Sequence, residues 1–169
     1  MDVLDALMTR CSIRRFEPRP VGEPAVQRML DVLFRSPSAG DARPWQFAVV
    51  DRRDLLDRLE AAMPKCEMLQ SAPLAILVCA EPARETIPGF WPQDCSAATQ
   101  NLLLAVHGLG LGGVWIGLHP VPDRERAARD ILRVPQDLVP FAMVAIGYPA
   151  EQPTLENRYD GSRVHRNGW

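Results

Sequence analysis

The chain has 169 residues, 47% hydrophobic and 24% charged, with a formal net charge of −2. These values describe one globular domain with a substantial core and exclude a disordered chain. A slight acid excess also speaks against a nucleic-acid footprint spread over the whole surface, so local basic clusters are the feature to explain.

In chain order, Val3 to Met8 and Pro24 to Phe34 have helical apolar spacing, with Pro24 suited to a first turn. Residues 36–44, "SPSAGDARP", read as a loop, and "WQFAVV" (45–50) as a strand. "DRRDLLDRLEAAM" (51–63) is an amphipathic helix, and "APLAILVCA" (72–80) a buried strand. Residues 81–94, with three prolines, a glycine and the adjacent Phe90 and Trp91, read as an irregular excursion. Asp94 or Ser96 is then placed to cap a long helix ending near Leu109. "GVWIGL" (113–118) is a strand, "PDRERAARDIL" (122–132) a helix, and "PFAMVAIGYP" (140–149) the last strand. Residues 150–169 are polar and punctuated by glycine and proline, without core periodicity. Strand runs apolar on both sides call for helices on both faces of the sheet, an α/β or α+β sandwich.

Common catalytic signatures fit poorly. "GLGLGG" (108–113) satisfies GxGxxG, but it follows a helix and precedes a strand, the reverse of a dinucleotide fold. A helix C-cap with a left-handed glycine explains part of it, and close backbone approach to a flat ligand stays open. His107, His119 and His165 lack metal-ligand spacing. Ser12, Ser38 and Ser96 lie outside GxSxG. Lys65 is the one lysine among 19 basic residues, and it sits in a polar stretch unsuited to a Schiff base. The scattered Cys11, Cys66, Cys79 and Cys95 read as reduced thiols of a cytoplasmic protein. No signal peptide or run of ~20 apolar residues is visible, so no membrane association is expected. Any catalysis must borrow its chemistry from a cofactor.

The basic cluster is "RCSIRRFEPRP" (10–20). Arg10, Ser12 and Arg14 alternate, so an extended segment would turn them to one side, where guanidinium forks and a hydroxyl suit a phosphate. A solvated charged turn is the competing reading.

Five segments in order resemble the nitroreductase family of flavoproteins in its short, single-domain form: "RCSIRRF", "SPSAGDARPWQF", "WPQDCSAATQNLLLAVHGLGLGGVWIG", "VPFAMVAIGYP" and "NRYDGSRVHRNGW". The resemblance implies an α+β nitroreductase-like fold, a mostly antiparallel sheet flanked by helices, in an intertwined homodimer with FMN in each of two interface clefts. It implies that Arg10, Cys11 and Ser12 lie at the FMN phosphate, joined by Arg158 and more weakly Arg163, with Arg14 at the pyrimidine edge. Pro37, Ser38, Ala39 and Asp41 would reach the flavin from the other subunit, and Gly112 and Gly113 would pass close to the ring. Residues 150–169 would drape over the partner. Phe90 and Trp91 would line the opening for a small-molecule electron acceptor, or pack in the core.

No catalytic side chain and no metal are implied. The implied activity is ping-pong hydride transfer from NAD(P)H to a nitroaromatic, quinone or similar electrophile. FMN storage or sensing with little turnover, dehalogenation and flavin breakdown are the alternatives. Asp41 and Arg43 stand where the family usually has asparagine and glutamine. An ionised aspartate donates no hydrogen bond to a flavin carbonyl, so Asp41 is expected to pair with an arginine.

Overall fold

The computed structural model describes all 169 residues. Its elements are α1 (Val3–Thr9), α2 (Glu23–Phe34), β1 (Trp45–Val50), α3 (Arg53–Ala62), β2 (Leu74–Ala80), α4 (Trp91–Gly108), β3 (Gly112–Gly117), α5 (Pro122–Leu132) and β4 (Val139–Gly147). The four strands form one antiparallel sheet in the order β1-β2-β4-β3.

Alternation along the two central strands builds two cores. Leu74, Ile76, Val78 and Ala80 of β2 join Ala142, Val144 and Ile146 of β4 beneath α2 and α4. Ala75, Leu77 and Cys79 join Met143 and Ala145 on the other face, covered by Leu56 and Leu59 of α3 and Ala128 of α5. Both strands are therefore apolar throughout, and the period-2 signal of a half-buried strand is absent. Pro140 is tolerated in central β4 because it sits at a register shift opposite Cys79.

One sequence expectation needs correction. Helix α4 begins at Trp91, not near Ser96, so Trp91 belongs to a helix and not to an irregular excursion. Pro92 lies in the first turn, where a missing N–H costs nothing. The cap comes from outside the helix: Glu85 accepts from the Trp91 N–H at 2.6 Å and the Gly89 N–H at 3.2 Å. Neither Asp94 nor Ser96 caps it; the Ser96 hydroxyl donates back to the Pro92 carbonyl. At the other end Gly110 is left-handed (φ 74°), and its N–H and that of Leu111 bond to the carbonyls of His107 and Val106. That paired closure is a Schellman motif, sealed by Val106 and Leu111 packing in one core.

The arginine-rich segment docks on the free edge of β3. Ser12 bridges Gly113 in parallel, and the Ile13 N–H donates to the Gly113 carbonyl at 3.1 Å. Beyond it, Phe16 bridges Pro149, Glu17 N–H donates to Tyr148, and Ala150 N–H donates to Arg15. Past Glu151 the tail is exposed, with a single helical turn at Gly161–Arg163 and Trp169 fully in solvent.

Candidate functional site

Gly112 explains why the segment docks where it does. A methyl group at that position would lie 2.7–2.8 Å from Cβ, Cγ1 and Cγ2 of Ile13, which is buried. At Gly113 it would meet the Ala145 carbonyl at 3.2 Å and Val106 at 3.3 Å. On the Cβ side both glycines are crowded by the protein's own packing, while the two also line a cavity at this end of the sheet. Gly117, at the end of β3, is the glycine of that strand with open space where a side chain would stand.

With Ile13 anchored, Arg10 and Cys11 line a cavity of about 220 Å³ together with His107, Gly112, Gly113 and Leu155. An adjoining pocket brings Arg158 of the tail alongside Arg10, Cys11 and Leu7. The guanidinium groups of Arg10, Arg14 and Arg158 form no ion pair among the seven present in the chain. Arg163, by contrast, is paired with Asp160 at 3.0 Å and does not join the cluster. Ser12 is half-buried, with no hydrogen bond from its hydroxyl to the rest of the chain.

Arg14 parts company with Arg10. It opens onto a different pocket, beside Arg15, Glu67, Met68 and Ser71. Strict alternation predicts one side for both, but the two side chains line different pockets, and at Arg14 the backbone is held by Glu151, which accepts from the N–H groups of Arg14 (2.5 Å) and Arg15 (3.2 Å). Glu151 borders both pockets.

His107 is the other polar group at this end. The Thr9 hydroxyl donates to the Asp5 carbonyl, so it accepts from His107 Nε2 at 2.8 Å, which sets the tautomer. Partial burial, and then the nearby Arg10, hold the imidazole below its ordinary pKa.

A second group of expected site residues lies elsewhere. The 36–44 loop is tightly organised: the Arg43 N–H donates to Ser38 Oγ at 2.9 Å, and the Asn101 amide donates to Ser36 Oγ at 3.0 Å. The Ala39 N–H donates to Asp94 at 2.9 Å, and the Thr86 hydroxyl donates to the Ala39 carbonyl. Gly40, Asp41 and Arg43 all have positive φ. Asp41 and Arg43 form a two-pronged pair at 2.7 and 2.8 Å, which lowers the Asp41 pKa and raises that of Arg43. Nearby, Phe90 is exposed, whereas the Trp91 ring packs edge-on against His119 (4.7 Å) and Phe141 (6.0 Å). His119 is itself held by Glu125 at 2.8 Å.

These two groups do not meet within one chain. Trp45, just after the loop, is level with Ala80 and Val139, while Gly112 is level with Gly147 on the opposite edge strand. With about 4.8 Å between strands and about 3.3 Å per residue, the corners stand roughly 14 Å apart across the sheet and roughly 25 Å along it. Helix α4 spans that interval, touching Thr9 through His107 and Ala39 through Asp94.

Asp94, His107 and Glu151 carry no signal of these roles in the sequence, because each acts on a residue far along the chain. No cluster of three or more His, Cys, Asp or Glu side chains is arranged to hold a metal ion. No helix is long and apolar enough to cross a membrane.

The family model described as "Nitroreductase family" matches residues 7–66 and 60–148. The chain belongs to the nitroreductase family. It is 45% identical over 169 residues to a protein of Methanothermobacter thermautotrophicus provisionally named NADH dehydrogenase/NAD(P)H nitroreductase, covering all of this chain and 88% of that one. A solved structure of the same provisional name, from Parabacteroides distasonis, superposes with a TM-score of 0.94 at 36% identity, covering 99% of this chain and 98% of the other. A nitroreductase, provisionally so named, from Desulfovibrio desulfuricans was solved in complex with FMN. It superposes at 0.85 with 28% identity, covering 100% and 98%. The nitroreductase fold and oxidoreductase class expected from the motifs are thus those of this chain.

Proposed function

We propose that this nitroreductase-family chain binds FMN at an interface between two copies and passes hydride from NAD(P)H to an electrophilic acceptor, a nitroaromatic or quinone. The observation that carries this reading is the set of guanidinium groups without anionic partners: Arg10 beside Arg158, and Arg14 on the same segment. Unpaired arginines, with Ser12 on the same segment, match the donors that a phosphate monoester demands. The separation between this cluster and the 36–44 loop exceeds the reach of one flavin. A cleft that uses both is built from two chains, and that is the reason for a homodimer. The exposed tail carrying Arg158 is the segment that would lie on the partner.

Bound FMN supplies the two-electron redox chemistry, so no acid–base side chain has to sit at the reacting atoms. Arg10, Ser12 and Arg158 hold the phosphate. Arg14 places positive charge where electron density accumulates on reduction. Phe90 borders the acceptor's entry, while Trp91 is held in its aromatic cluster with His119 and Phe141.

Purified protein should be yellow, and anaerobic NADH or NADPH should bleach its flavin absorbance. Acceptor addition should restore the absorbance in a second, separable half-reaction. Arg10→Ala and Arg158→Ala should each loosen FMN by about 10- to 100-fold, the worth of a charge-assisted hydrogen bond. Colourless protein indifferent to added FMN, or FMN left oxidised by both nicotinamides, would overturn the proposal. So would a monomer at micromolar concentration by sedimentation.

A further inference from the structure

In this chain one buried side-chain oxygen or nitrogen lacks a hydrogen-bond partner: Asp94 Oδ2. Asp94 is 5% exposed, and a sealed carboxylate oxygen without a donor is uncommon enough to require a reason. Capping is not the reason. The first N–H of α4 goes to Glu85, and those of Gln93 and Asp94 go to the Phe90 carbonyl. The carboxylate turns sideways, and its other oxygen accepts from the Ala39 N–H at 2.9 Å.

Ala39 is the fulcrum of the 36–44 loop. Its N–H is held by Asp94 on one side, and its carbonyl by Thr86 Oγ1 on the other. A methyl group on Gly40 would come within 2.3 Å of that same Oγ1, so the loop backbone lies hard against Thr86. Immediately beyond, Gly40, Asp41 and Arg43 take left-handed conformations, which non-glycine residues keep only where the surroundings compel them. Asp94 compels from beneath. Asp94 is in none of the chain's seven ion pairs, and the adjacent Cys95 packs in the core, reaching toward the Pro44 carbonyl at 4.0 Å.

We propose that Asp94 is a positioning residue for the cofactor, shaping the Ser38–Asp41 turn through the Ala39 N–H at the cost of one unsatisfied oxygen. This rests on the reading above that the loop contributes to the flavin cleft. A residue kept for site geometry and not for folding has a distinctive signature. Removing it should loosen the ligand without loosening the fold, because the unsatisfied oxygen leaves with it and the half-buried Ala39 N–H is free to turn to water.

The test compares Asp94→Ala and Asp94→Asn with the wild-type holoenzyme and its FMN-stripped form. Four quantities are read: FMN affinity by fluorescence quenching, reduction potential of bound FMN, thermal midpoint, and amide exchange of Ala39. In Asp94→Ala, Ala39 exchange should accelerate and FMN affinity should fall about tenfold or more, the loss of one charge-assisted bond, while the thermal midpoint of the stripped protein holds or rises. Asp94→Asn retains an oxygen that accepts from Ala39, so it should recover most of the affinity, with the potential displaced because the charge is gone. Unchanged Ala39 exchange in Asp94→Ala would overturn the proposal, as would an affinity loss that merely tracks a lower midpoint. Failure of wild-type protein to bind FMN would instead sink the functional reading, while Ala39 exchange still reports on the clamp.

Discussion

Replacing Gly112 by alanine puts the placement of the arginine cluster under direct strain. The added methyl would sit 2.7 Å from Ile13 Cβ and 2.8 Å from both Cγ atoms. Carbon–carbon contacts are favourable at about 3.5–4.0 Å, so the 10–16 segment has to recede from β3 by about 1 Å. A flexible side-chain tip could swing aside, but Cβ moves only with the backbone. A retreat of that size stretches the 3.1 Å bond from the Ile13 N–H to the Gly113 carbonyl beyond hydrogen-bond range. Overpacking of this kind costs about 1–3 kcal/mol. For a chain of this length that lowers the thermal midpoint by roughly 2–12 °C. Arg10 and Ser12 precede Ile13 on the same short segment and move with it, so FMN affinity should fall about tenfold as well. Gly117→Ala is the internal control, since nothing lies within 4 Å of its added methyl. Its stability should stay within about 0.5 kcal/mol of wild type. Differential scanning calorimetry and FMN titration of both variants decide the matter. Wild-type stability and affinity in Gly112→Ala would refute the claim that this glycine seats the arginine-rich segment.

Arg43→Gln leaves the Asp41 carboxylate unneutralised and should lower the flavin reduction potential, whereas Asp41→Asn should raise it; potentiometric titration in which neither moves would remove the loop from the ring's surroundings. Burial pushes the Cys79 and Cys95 thiols up to about 12 from 9.0, with the Asp94 charge adding to the effect at Cys95. Native protein should therefore expose only the half-buried Cys11 to a thiol reagent at pH 8, and all four cysteines after unfolding. Because those folded-state values lie above the unfolded ones, their contribution to stability is complete below pH 9 and is lost as pH rises toward 12, visible as alkaline destabilisation in denaturant titrations. Glu85→Ala strips α4 of its external cap and should cost about 1 kcal/mol, or about 2–4 °C in the thermal midpoint.

Local composition was enough to locate the strands, the five helices and the polar tail, because each is dictated by short-range apolar periodicity or its absence. It also singled out the basic segment, since the clustering of arginines in "RCSIRR" is a property of the sequence itself. It misplaced the start of α4, because the cap is a glutamate several residues upstream in a loop. It grouped Arg14 with Arg10, whereas the folded chain gives them different pockets and fixes the Arg14 backbone through Glu151, more than 130 residues away.

The glycines of "GLGLGG" show the division most sharply. That a helix must end there was legible from residue type alone: glycine adopts the left-handed conformation at no steric cost. That Gly112 makes room for Ile13, and that Asp94 clamps Ala39, depended on which distant segments the sheet brings together. Propensity acts between neighbours in sequence and was readable there. Excluded volume and hydrogen bonding act between neighbours in space, and only the folded chain decided who those are.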